Sequence, residues 1–331
     1  MRFIATNNLR GLEYKGIFAG KMRRYFSFQN FLDVFKVGIG FWQAVFIVRK
    51  FDPNVVFSKG GFVALPVVMA CAWINFWRRV LRMVSQSGQA HIAIVIHESD
   101  VVPGLSNRIA ARFADKILVS FEKTRNAFRG HWLGAGRGHK VEVVGNPVRS
   151  FLFKGEIGRG LKLCGFNIFK PVVLVMGGSQ GAHQINNLVW GNLDELLKKW
   201  QIVHIAGKGN VQFGLKKIGY KQFDLLFDEL KDVYATCDVV VSRGGANSLS
   251  EIAALGKKAV IIPLGLAGSR GDQIVNARVC AEEYGWQVLY DKITNEQFLR
   301  AIELASEEKF KGDGLNHKKS SGKIVDLIAE I

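Results

Sequence analysis

Val239-Val-Val241 runs into Ser242-Arg-Gly-Gly-Ala-Asn-Ser-Leu-Ser-Glu251. A short β-branched apolar run followed by a glycine pair and a helical pattern predicts a buried strand, a tight turn and a helix. Such a junction offers unpaired N–H groups and the positive end of a helix to an anion. Glu251 lies further along that helix, at a reach suited to a sugar hydroxyl. A second strand, Ala259-Val-Ile-Ile262, is followed by Gly271-Asp-Gln-Ile-Val-Asn-Ala277, which brings a polar Asp-Gln pair to the next helix start. Together Arg243, Gly244, Gly245, Glu251, Asp272, Gln273 and Asn276 read as a pocket for a nucleotide sugar. The bland alternative for Glu251 is a solvated helix carboxylate, and for Gln273 and Asn276 a pair of surface amides on one helix face.

The same strand–glycine–helix grammar recurs upstream. Val172-Val-Leu-Val175 runs into Gly177-Gly-Ser-Gln-Gly-Ala182. Its N–H groups and the Ser179 hydroxyl suit a phosphate, with Gln180 and Gly181 in the same turn. It is neither G-x-G-x-x-G nor a P-loop, since no Lys-Ser/Thr follows, so a plain tight turn is the competing reading. Further short apolar runs at 54–57, 92–96, 116–119, 141–144 and 202–205 alternate with helical patterns. Repeated β-α units with fully apolar strands predict parallel sheets covered on both faces. The fold class is therefore α/β, with two Rossmann-like domains facing across a cleft. Gly145-Asn-Pro147 is the strongest breaker signal. It places a boundary there, giving domains 1–146 and 147–316, with a terminal helix over 317–331 that could return to the first.

The chain has 331 residues and a formal net charge of +17. Residues 1–150 carry 22 Lys and Arg against 8 Asp and Glu, whereas the remainder carries 23 against 20. Only the first half is basic, so its partner is anionic. No nucleic-acid-binding signature accompanies the charge; large apolar side chains do, which favours a membrane surface. Phe28, Phe31, Leu32, Phe35, Ile39 and Trp42 recur at helical spacing, with Lys21, Arg23, Arg24 and Lys36 close by. The alternative is a core-facing helix with basic neighbours. The apolar stretch 62–77 is shorter than the roughly 20 residues a spanning helix needs, holds Pro66 and Asn75, and reads as a buried or interfacial helix. Four scattered Cys residues without a C-x-x-C pair argue against zinc and redox motifs and for reduced thiols. His97-Glu98 sits at a strand end, where a His beside a carboxylate suits proton transfer; a structural His is the default. His204, among apolar residues, reads as structural.

These motifs, in this order, resemble the MurG family of bacterial peripheral glycosyltransferases, glycosyltransferase family 28. The resemblance spans nearly the whole chain: 20–26, Phe57-Ser-Lys-Gly-Gly-Phe62, His97-Glu-Ser-Asp100 with Asn107, Gly145-Asn-Pro-Val-Arg149, 177–182, 242–251 and 272–277. It implies a GT-B architecture and inverting transfer of N-acetylglucosamine from UDP-GlcNAc to lipid I, the undecaprenyl-pyrophosphoryl-MurNAc-pentapeptide. It implies that Glu251 holds the ribose and Gln273 the sugar hydroxyls, with Asp272 beside it. Arg149 and Ser179 would lie at the diphosphate, and Gly60, Gly61 and Asn107 would face the acceptor pyrophosphate. The helix bearing Phe31, Phe35 and Trp42 would dock on an anionic membrane at the cytoplasmic face of the plasma membrane. No cofactor or metal is required, and cell-wall synthesis and division proteins are expected partners. Relatives begin with a strand and a Gly-Gly-Thr-Gly-Gly-His loop that this sequence does not contain. His97 or Glu98 is accordingly the expected acid/base or acceptor-orienting group, and the alternative is a UDP-sugar-binding remnant without transfer. A two-domain UDP-sugar epimerase is a weaker alternative, since it would have no use for a membrane face.

Overall fold

The computed structural model describes residues 14–18, 28–85, 91–128, 140–265, 271–312 and 314–331. Lys21, Arg23 and Arg24 of the expected membrane patch lie outside them, as do the side chains of Phe31, Phe35 and Lys36.

Among the described residues the first elements are two long helices, α1 (Phe28–Phe51) and α2 (Ala64–Ser85), with β1 (Val55–Ser58) between them. Then follow β2 (Ala93–Glu98), α3 (Leu105–Ala110), β3 (Lys116–Val119), α4 (Glu122–Phe128) and β4 (Lys140–Val143). The four strands form one sheet in the order β1-β2-β3-β4. β1 and β2 are parallel, with Val55 opposite Ala93 and Ser58 opposite Ile96. β2 runs two residues further than its apolar stretch: His97 and Glu98 are its last two residues and not a loop after it.

A 3-10 turn (Ser150–Lys154) and α5 (Ile157–Cys164) lead into the second series. It contains β5 (Val172–Met176), α6 (His183–Gly191), α7 (Leu193–Lys199), β6 (Gln201–Ile205), β7 (Tyr220–Phe223) and α8 (Leu230–Thr236). It continues through β8 (Val239–Ser242), α9 (Ala246–Ala254), β9 (Lys258–Ile261), α10 (Asp272–Tyr284), β10 (Gln287–Val288), α11 (Asn295–Glu307) and α12 (Leu315–Ala329). The strands make a six-stranded parallel sheet in the order β10-β9-β8-β5-β6-β7. Successive side chains of a strand point to opposite faces, so β5 feeds two cores. Val172 and Leu174 join Val240, Leu249, Ile252 and Tyr234 on one side. Val173 and Val175 join Ile185, Val189, Leu196 and Phe298 on the other. Both layers are apolar, which is why these strands read as continuous apolar runs and not as alternating ones.

Two compact units emerge, one of residues 1–97, 104–117 and 136–139, the other of 98–103, 118–135 and 140–331. In the second, the strand order reverses between β5 and β8. A ligand crevice opens beyond the carboxyl ends of the strands at such a switch point. Met176 lies opposite Ser242 in the β5–β8 register. Both glycine loops therefore start at the same level, side by side.

Candidate active site

The loop after β5 turns through Gly178, whose carbonyl accepts from Gly181 N at 2.9 Å. Gly181 has φ +76°, and a Cβ there would overlap the Ala206 carbonyl oxygen. Only glycine lets the loop lie this close to the end of β6. The Asn210 side chain ties the loop from the same side, donating to the Gln180 carbonyl at 3.1 Å. Ser179 and Gln180 are exposed at its tip, directly before α6. The first turn of α6 leaves N–H groups without intrahelical acceptors, and its dipole favours negative charge there.

The loop after β8 is held differently. Gly244 packs under α10 so tightly that a Cβ would overlap the Gln273 carbonyl. Asn276, wholly buried, donates to the Gly244 carbonyl at 3.2 Å and to Asp100 Oδ1 at 2.8 Å, and accepts from Val101 N at 2.9 Å. The Asn276 amide is thus spent on protein groups. Gln273, one turn earlier, accepts from Leu264 N at 3.0 Å. Gly245 caps α9 in extended backbone. Arg243, at the mouth of this loop, is half-buried, and burial lowers its pKa from the usual range. No acidic side chain pairs with it among the described residues, so a cation stands part-desolvated where β5 and β8 end.

Glu251 is on the second turn of α9, and its side chain is only 11% exposed. Arg149 meets it side-on: Nε donates to Oε1 at 2.8 Å and Nη2 to Oε2 at 3.1 Å. Tyr234 is buried behind them. Its desolvation, and next the charge on Glu251, push the phenol well above its usual pKa. Its hydroxyl donates to Met176 Sδ at 3.3 Å. Arg149 itself follows the Gly145-Asn-Pro147 turn, which the sequence marked as a breaker without showing what holds it. There Asn146 donates through Nδ2 to Asn247 Oδ1 at 2.9 Å and through its backbone N–H to His317 Nδ1 at 3.0 Å. Ser320 on α12 donates to the Gly145 carbonyl at 3.0 Å. No local pattern marks Asn247 or His317 as supports of this turn.

In the first unit the structure brings Gly60, Asn107 and His97 together. Asn107 donates to the His97 carbonyl at 3.1 Å. A Cβ on Gly60, which has φ +84°, would come within 2.6 Å of the Asn107 amide. Gly61 also has positive φ and faces open space. His97 is fully buried, with the Phe57 ring 6.4 Å away. Glu98 is buried too, and its Oε1 accepts from Asp100 N at 3.0 Å. Neither side chain reaches solvent.

Residues 4–119 match the glycosyltransferase family 28 N-terminal domain, and residues 172–330 match the glycosyltransferase family 28 C-terminal domain. Over 325 residues the chain is 40% identical to a UDP-N-acetylglucosamine–N-acetylmuramyl-(pentapeptide) pyrophosphoryl-undecaprenol N-acetylglucosamine transferase of Legionella pneumophila, covering 96% of this chain and 83% of that one. The chain belongs to glycosyltransferase family 28. A Bacillus cereus relative of the same name, numbered 2, is 40% identical over 97% of this chain and 86% of its own. Among solved structures, Acinetobacter baumannii MurG superposes with a TM-score of 0.62 at 21% identity, over 90% of this chain and 80% of that one. A kitacinnamycin glycosyltransferase superposes at 0.54 and 14% identity, over 90% and 82%. These likenesses give the family 28 chain the GT-B fold expected from its sequence. The first of its two glycosyltransferase domains carries Gly60, His97 and Asn107; the second carries Ser179, Arg243 and Glu251.

Proposed function

We infer that this glycosyltransferase moves N-acetylglucosamine from UDP-N-acetylglucosamine to the N-acetylmuramyl-(pentapeptide) pyrophosphoryl-undecaprenol acceptor, with inversion at the anomeric carbon. The observation that carries the donor half is the switch point between β5 and β8. Two glycine loops, two helix N-termini and the half-buried Arg243 converge there, with Glu251 one helical turn beyond. Such a cradle suits a diphosphate next to a ribose. The Glu251 carboxylate accepts from the ribose hydroxyls, and Ser179 with the N–H groups after it holds the pyrophosphate. Asp272 and Gln273, at the start of α10, take the sugar hydroxyls, while Asn276 holds Gly244 in place.

In the reaction the acceptor hydroxyl forms a bond to the anomeric carbon as the bond to the β-phosphate oxygen breaks. One displacement inverts the centre. The hydroxyl proton passes to a base, and UDP departs with the bonding pair. Fixed N–H dipoles and Arg243 receive that charge, already oriented before it forms. This leaving-group support requires no metal, so chelator is expected to leave turnover unchanged. His97, closed from solvent, holds Asn107 and with it orients the Gly60–Gly61 loop toward the acceptor pyrophosphate, while Glu98 holds the turn after β2 through the Asp100 N–H. Each of His97→Ala and Glu98→Gln is expected to lower transfer while sparing UDP affinity. Residues 1–146 thus carry the acceptor and membrane functions and 147–316 the donor function.

Membrane attachment rests on α1 and α2. Trp42 on α1 and Phe76 and Trp77 on α2 are exposed and linked edge-to-face, Trp42 and Trp77 through Trp73 and Phe76 through Trp77, and Phe46 on α1 is exposed as well. Arg79 and Arg112 are exposed beside a groove of about 750 Å³ that Phe41, Trp73 and Phe76 line. Aromatic rings that insert among headgroups and cations that face them describe a peripheral attachment. Among the described residues no helix is long and apolar enough to cross a membrane.

Calorimetry with UDP on Glu251→Ala tests the donor site, and a transfer assay with a lipid-linked acceptor tests the reaction. Loss of UDP affinity on Glu251→Ala is the expected result. Unchanged affinity would remove the ribose assignment, and binding without product would favour the non-transferring alternative.

A further inference from the structure

The group assigned to the ribose is already in use. Both carboxylate oxygens of Glu251 accept from Arg149, at 2.8 and 3.1 Å. No other donor reaches either oxygen among the described residues. A ribose diol makes the same two-pronged demand on a carboxylate, so sugar and guanidinium compete for the same lone pairs.

The two partners are unequally fixed. Glu251 is held on a packed helix and is nearly closed from solvent, whereas the Arg149 side chain is 48% exposed. Arg149 also has a second contact besides Glu251. Its guanidinium carbon lies 5.3 Å from the centroid of the Phe151 ring, two residues on, which keeps the cation covered when its carboxylate is taken. Arginine's planar fork matches a phosphate as well as it matches a carboxylate.

We propose that Arg149 is an exchange residue: it caps Glu251 in the empty protein, the ribose displaces it, and the released guanidinium turns to the donor's diphosphate. This rests on the reading that Glu251 holds the ribose. The exchange makes the empty site favour ligands that carry both parts. A nucleoside must break the Arg149–Glu251 pair and offers the cation nothing in return. A nucleoside diphosphate breaks the same pair and gives Arg149 a new anion. Leaving the buried carboxylate to a ligand hydroxyl costs least when the displaced charge is paired again.

The test sets uridine against UDP, titrated by calorimetry or by chemical-shift changes, on the full chain and on Arg149→Met, Arg149→Gln and Glu251→Ala. Thermal melts confirm that each variant is folded. Removing the cap is expected to raise uridine affinity about fivefold and to lower UDP affinity about tenfold, opposite signs from one substitution. Weaker or unchanged uridine binding in both Arg149 variants would overturn the exchange. Glu251→Ala separates the two failures. If it leaves uridine affinity intact, the ribose reading itself is wrong. If it abolishes uridine binding while the Arg149 variants fail to strengthen it, the ribose reading stands and only the exchange falls.

Discussion

A methyl group on residue 181 would have no space. The position needs positive φ and sits against the Ala206 carbonyl, and that carbonyl is itself fixed from behind. Trp190 Nε1 donates to the Tyr220 hydroxyl at 3.1 Å, and that hydroxyl lies 3.0 Å from His204 Nδ1. His204 Nε2 is 3.0 Å from Asn186 Oδ1, and the Asn186 amide donates to the Ala206 carbonyl at 2.9 Å. Read in one direction, this is a chain of donors that leaves His204 neutral with its proton on Nε2. Gly181→Ala is therefore expected to cost about 1–3 kcal/mol of stability and to weaken UDP binding, read by denaturant melts and calorimetry. The glycine loops were legible because their need for glycine is local. Glu251 was legible as a position on a helix. Its Arg149 partner was not, since 102 residues separate them and pairing across such a span leaves no periodic trace. Asn276 shows the same limit: its spacing from Gln273 placed it on a suitable helix face, but only the packed fold discloses that Gly244, Asp100 and Val101 take up its amide.

Among the elements, the long strands and their helices follow directly from apolar runs and breakers. β10, two residues long, and β7, with an exposed lysine in it, carry too little pattern to be read. α2 was half legible. Its apolar run indicated a buried or interfacial helix. The structure buries Val68, Ala70, Cys71 and Ile74 and turns Phe76 and Trp77 outward, with Trp73 bridging Trp77 to Trp42 of α1. The stripe near Phe31 pointed to α1 alone, because sequence spacing describes one helix at a time and cannot say which neighbour extends its face. Replacing Phe46 and Phe76 together by Ser is expected to reduce binding to vesicles rich in anionic lipid by about tenfold or more, from the apolar area each ring would bury. Sedimentation with vesicles reads this, and neutral vesicles should bind the unaltered chain less well. The helix interior should tolerate the change, since both positions lie outside the core.

At the scale of the whole molecule, two buried imidazoles govern behaviour in acid. Burial lowers the pKa of both His204 and His317 to about 4. Well above pH 6.5 neither imidazole is protonated in the folded or the unfolded chain. As the pH falls below 6.5 the unfolded chain takes up protons that the folded one refuses, so stability is lost progressively until about pH 4. The loss is ~3 kcal/mol for each His. Denaturant melts between pH 7 and 4.5 should show it, and His204→Gln should flatten the slope. The four cysteines add a second global readout. All are buried, and burial raises the thiol pKa of Cys71 and Cys237 to about 12 and that of Cys164 to about 11, with Cys280 higher still. None is expected to react with a thiol reagent at pH 8 until the chain unfolds. The contacts of α12 with the turn at Gly145 and Asn146 bear on how the molecule is made. They join groups 171 and 175 positions apart. At the usual pace of synthesis those partners emerge roughly ten to thirty seconds after the turn itself. Through that interval the nascent polypeptide must keep the turn's amide and carbonyl in water, so the second unit reaches its final form only after α12 has left the ribosome.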